Sequence, residues 1–200
     1  MSIRLLRQVG LVIGLGVMLS ACSSVNPPQS RLPEMSFRQA APFRLNVARV
    51  EVVSQFTPVA QAPHIEYDMP VAPENAVKRW VQDRLQPVGR TGTLRVVIRN
   101  ASAVEVPLKT DTGFTGMFKK EQASRIDMAI DVALQMLDDR QFVIAEVTGQ
   151  AAASHTTLEG QKLNERDRLL YDMVQGMVND MNSQADPNIQ SIFRQWLGAY

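Results

Sequence analysis

The chain has 200 residues, 45% of them apolar and 20% charged, with 21 basic against 20 acidic side chains and a formal net charge of +1. A balance this even leaves no electrostatic footprint for nucleic acid. A single cysteine excludes an intrachain disulfide, and the length suits one core-bearing domain with a short appendage.

In chain order, Arg4 and Arg7 form a positive n-region, Val9 to Leu19 a short uncharged h-region, and Leu19-Ser20-Ala21 sets small residues before Cys22. An apolar run of about 11 residues is too short for a bilayer that needs about 20. A plain secretory signal does not need the cysteine, and an unpartnered thiol is unusual in an oxidising periplasm. The segment resembles the lipobox of bacterial lipoprotein precursors. That resemblance implies a signal peptide over residues 1–21 and a covalent diacylglycerol and N-acyl chain on Cys22, with no other cofactor. At about 0.8 kcal/mol per buried methylene, two or three chains anchor a protein effectively permanently without spanning the membrane. Ser23 stands where lipoproteins held at the inner membrane commonly carry aspartate. By the same resemblance the expected address is the periplasmic face of the outer membrane, whose lipid is the first expected partner. Loss of Arg4 and Arg7 turns the net charge to −1.

Residues 22–42, polar and proline-bearing, read as a lipidated flexible tether whose ~20 residues reach ~60 Å when stretched. A single α+β periplasmic domain is expected over residues 43–200. Phe43 to Val53 predicts a first strand, bulged where the apolar phase changes near Ala48. Prolines 58, 63, 70 and 73 break up the following loop, and Pro73-Glu74-Asn75 opens a helix with Ala76, Val77, Trp80, Val81, Arg84 and Leu85 on its apolar side, ended by Gly89 and Gly92. Leu94, Val96 and Ile98 alternate with Arg95, Val97 and Arg99 as a second strand, and Ala103 to Leu108 is a third, extended but divided from it by Asn100-Ala101-Ser102.

From Ile126 to Met136 every even residue is apolar and most odd ones are polar or small, predicting a strand with one wet face. Asp138-Asp139-Arg140-Gln141 turns the chain into a partner strand from Phe142 to about Thr156. A long amphipathic helix follows Gly160, with Leu163, Leu169, Leu170, Met173, Val174, Met177, Val178 and Met181 as its stripe. Asp186-Pro187-Asn188 starts a short terminal helix. The expected fold is a two-layer α+β sandwich, one mostly antiparallel sheet of about four strands covered by two helices plus a short C-terminal helix. The lipobox and this element order together resemble envelope auxiliary lipoproteins: the lipopolysaccharide-assembly lipoprotein that plugs an outer-membrane barrel, and the auxiliary lipoproteins of lipid-transport ABC systems. That resemblance implies a transport or assembly accessory role and carries over no functional residue.

Catalytic patterns are thin. His64 and Glu66, two apart on an extended chain, face one side but lack the third ligand zinc requires. Ser154 and His155 are adjacent in a strand and point to opposite faces, so they cannot form a nucleophile–base pair. Asp127 and Asp131 share a strand face about 13 Å apart, too far for most paired-carboxylate work. No metal site and no enzyme activity is expected. The candidate contact is Phe114, Met117 and Phe118 beside Lys119 and Lys120, between two predicted strands. These residues either enter an acyl boundary or a partner's groove, with the lysines at anionic groups, or fold back over the sheet. A second candidate is the small-residue face around Ala129 and Ala133, open to a ligand or covered by the terminal helix, and a third is strand addition at an unpaired edge near Leu45 or Phe142. The leading expectation is a non-catalytic accessory lipoprotein binding an envelope protein or lipid. The alternatives are a tethered small-ligand or lipid carrier and, third, a periplasmic hydrolase.

Overall fold

The computed structural model describes residues 32–108, 122–158 and 160–198. The expectations for Arg4, Arg7 and Cys22, and for Phe114, Met117, Phe118, Lys119 and Lys120, lie outside them. Six strands and two helices follow in chain order: β1 (Phe43–Leu45), β2 (Arg49–Ser54), α1 (Pro73–Arg84), β3 (Leu85–Pro87), β4 (Thr93–Pro107), β5 (Gln122–Leu137), β6 (Val143–Leu158) and α2 (Leu163–Ile192). The architecture is α+β, as expected. A four-stranded open sheet runs β2-β4-β5-β6, with β4, β5 and β6 antiparallel and β2 parallel to β4. Both helices pack on one face of it and share its core.

The alternation in β5 has its expected meaning: Ile126, Met128, Ile130, Val132, Leu134 and Met136 are each at most 2% exposed and form the sheet's contribution to the core. Four expected elements differ from the structure, each for a local reason. Phe43 to Val53 is two strands, because the chain leaves β1, which pairs with β3, and enters β2, which pairs with β4. The α1 helix stops at Arg84 rather than running to the glycines, because Leu85 to Pro87 is drawn out to pair with β1. The stretches on either side of Asn100-Ala101-Ser102 are one strand of 15 residues. A bulge between Ile98 and Asn100 switches its inward phase from Leu94, Val96 and Ile98 to Ala101 and Ala103. The terminal helix is no separate element, since α2 continues through Pro187 for 30 residues and ends at Ile192. Its buried stripe stays in phase across the proline, Met181, Ala185, Ile189 and Phe193 each being fully buried, and packing of that kind outweighs one missing backbone hydrogen bond. Leu163, by contrast, is exposed.

The packed body begins at Leu32, not at Phe43. Met35 and Phe37 are core residues, and the buried carboxylate of Asp83 on α1 accepts from the Phe37 N–H at 2.8 Å and from Arg38 Nε at 2.8 Å. Residues 32–42, read from sequence as tether, are therefore clamped to the domain. Where α2 crosses β6 the strand supplies the small residues Ala145, Gly149, Ala151 and Ala153. A Cβ on Gly149 would stand 2.8 Å from Met181 Cγ, so glycine sets how closely the helix approaches.

Candidate functional site

The sheet's two edges are unlike. The β2 edge is six residues long and carries Arg49 and Glu51, paired with each other at 2.5 Å. The β6 edge is 16 residues, VIAEVTGQAAASHTTL, with no proline and with Glu146 as its sole carboxylate, lysine or arginine. At about 3.3 Å per residue it is about 50 Å long. Among the described residues β6 pairs with β5 alone, so its other row of N–H and C=O groups has no strand beside it. Folded proteins ordinarily blunt such an edge with lysine, proline, a bulge or brevity. The β6 edge has no lysine or proline and is not short; its own irregularity is a bulge at Ile144, where the register against β5 shifts, and Phe142, Val143, Ile144 and Leu158 at its ends are about half exposed or more.

The sheet face opposite the helices has no helix over it among the described residues. The terminal helix expected there as a cover is part of α2 and lies on the other side. Two polar clusters span that open face. Glu146 accepts from Gln135 Nε2 at 2.8 Å and from Arg99 Nη2 at 2.9 Å, and these bonds, acting against burial, hold its carboxyl below the usual range. Asp127 accepts from Ser154 Oγ at 2.6 Å and from Arg125 Nε at 2.9 Å, lowering its pKa in the same sense. Ser154 is thus committed to a carboxylate on the neighbouring strand, and its hydroxyl does not meet His155. Among the described residues no group of three His, Cys, Asp or Glu side chains could hold a metal ion.

His64 and Glu66 are brought together, with Nδ1 and Oε1 3.1 Å apart. Glu66 is 4% exposed. Its Oε1 also accepts the Ala103 N–H at 2.9 Å, while Oε2 is buried with no hydrogen-bond partner among the described residues. Glu66 is among the residues lining a cavity of about 320 Å³ between the 66–68 turn, the start of α1, Ala101 of β4 and the loop at Phe56 and Pro58. Sequence reasoning missed this burial. The spacing of His64 and Glu66 was the one visible signal, and the amide that seats the carboxylate lies 37 residues away.

At the other end of the sheet, Arg166 at the start of α2 donates to Glu105 of β4 in bidentate fashion, at 3.0 and 2.7 Å. Ser124 adds a hydroxyl bond to Glu105 and lies 2.6 Å from Thr157 Oγ1. The Arg166 bonds, against burial and helped by Ser124, hold the Glu105 carboxyl below its ordinary value. This cluster lies at the sheet end where β4 finishes and β5 begins.

No helix among the described residues is long and apolar enough to cross a membrane. No protein-family model matches the chain, and no curated protein does. Among solved structures the chain is similar to a minor lipoprotein from Acinetobacter baumannii, with 12% identity and a TM-score of 0.36, over 78% of this chain and 98% of that one. It is also similar to the rare lipoprotein B from Shewanella oneidensis, with 11% identity and a TM-score of 0.33, over 71% of this chain and 97% of that one.

Proposed function

We propose that the protein is a non-catalytic accessory lipoprotein, held by acyl chains on Cys22 at the periplasmic face of the outer membrane, whose folded body docks an envelope protein by strand addition along β6. The observation that carries this reading is the 16-residue β6 edge, which has no lysine or proline and, among the described residues, no strand on its outer side. Main-chain pairing along such an edge supplies affinity in any register, and the exposed Phe142, Val143, Ile144 and Leu158 supply apolar contacts at its two ends. The lipobox around Cys22 supports the anchor, and Ser23 supports the outer membrane over the inner. Phe114, Met117, Phe118, Lys119 and Lys120 are proposed as a further contact with the partner or the membrane surface.

The test is mild chemical crosslinking of the lipidated protein in intact cells, read by mass spectrometry beside a Cys22→Ser control. The expected result is one discrete envelope protein that disappears with the anchor. Recovery of no protein, with a lipid or small ligand co-purifying instead, would replace the accessory reading with a tethered carrier.

A further inference from the structure

We propose that the cavity at Glu66 is a binding site for an alkylammonium group, independent of the β6 edge and sharing none of its residues. An ionised carboxylate only accepts, and a buried oxygen without a donor costs free energy that a bound donor recovers. Glu66 Oε2 is in that position, whereas Oε1 is occupied by the Ala103 amide and by His64. Glu74, the second acid of the cavity, is committed to Lys78 at 2.7 Å, so the uncommitted acceptor is on Glu66.

The lining selects the ligand. Two carboxylates exclude an anion, and a wholly apolar molecule would leave Oε2 unpaired. Phe56, Pro58, Met69 and Pro70 present apolar surface for a short carbon chain. The volume of about 320 Å³ falls at the small end of ligand sites. A primary ammonium on a short alkyl body satisfies both demands, giving up to three donors to the acid end. Such a group could arrive on a free small amine or on the lysine side chain of a docked protein.

The experiment is an amide NMR titration of the whole lipidated chain in detergent micelles, with the Ala103 N–H as reporter because it shares the Glu66 carboxylate. Butylamine stands for the free amine, N-acetyl-lysine amide for a protein side chain, and 1-butanol and butyrate for the same chain without the cation. The expected result is a saturable shift at Ala103 with at least one of the two amines, the tighter of them naming the source, and none with butanol or butyrate. Glu66→Gln keeps the shape and should weaken the amine by about tenfold or more. If that variant does not fold, the butanol and butyrate arms still decide the matter on the unaltered chain. Absence of a saturable shift with both amines, or an equal response to butanol or butyrate, overturns the proposal.

Discussion

Single carboxylates do much of the joining in this fold, and their environments make that measurable. Asp83 loses solvation on burial, but the Phe37 amide, Arg38 and Ser36 more than offset it and leave its pKa below the ordinary 3.8. Asp83→Ala would strand the Phe37 N–H and free residues 35–38. The expected cost is about 1–3 kcal/mol, with faster hydrogen exchange at the Phe37 amide in the variant. Glu105 gives a pH signature. Its folded pKa is depressed below the ordinary 4.5, chiefly by Arg166, so its stabilisation is fully present above that value and is lost as pH falls through the depressed one. Thermal melts from neutral pH down to about pH 3 should show Glu105→Gln less stable than the parent near neutrality, with the gap closing in acid. A gap that stays constant with pH would mean the Arg166 pair contributes nothing. At this scale the sequence was least informative. His64 and Glu66 stand two apart in the chain, but the burial of Glu66 depends on Ala103, and the pairing of Arg84 with Asp186 at 2.8 Å spans 102 residues.

Elements were legible where one periodicity held from end to end. The period of two in β5 and the apolar spacing of α1 translate directly into buried residues, from Ile126 to Met136 and from Ala76 to Trp80. Boundaries were misread where a local signal was overruled by packing at a distance. The bulge before Asn100 looks like a break in the sequence because the inward phase reverses there. Pro187 looks like a helix start, yet the stripe from Met181 to Phe193 continues beneath it. Gly149 reports the contact between the two layers. Alanine ordinarily strengthens a strand interior relative to glycine, but here its Cβ would press on Met181 Cγ. Gly149→Ala is therefore expected to destabilise, and Gly149→Val to cost about 1–3 kcal/mol, measured by denaturant unfolding. In a Met181→Ala background the alanine substitution should cost less than in the parent, the positive coupling expected of residues in contact. Equal costs in both backgrounds would place the strain elsewhere.

Among the described residues the helices close one sheet face, polar clusters dress the other, and β2 is short and charged, which leaves β6 as the long edge with no strand on its outer side. If the proposed anchor at Cys22 holds the protein at a membrane, the local concentration of envelope neighbours is high, and a docking edge lets a small domain exploit it. Introducing lysine at the exposed positions Thr148 and Ala152 should guard the edge as natural sheets do. Folding should be nearly unaffected, since surface substitutions of this kind usually shift stability by about 0.5 kcal/mol or less. The most direct measurement is a scan with a photoactivatable amino acid at Val143, Thr148 and Ala152 on β6, and at Val53 on β2, in the lipidated protein in living cells. The account predicts one discrete adduct with an envelope protein from the β6 positions, none from Val53, and loss of the adduct when the lysine guards are added. Equal adducts from both edges, adducts between two copies of this chain alone, or adducts indifferent to the lysines would contradict docking along β6.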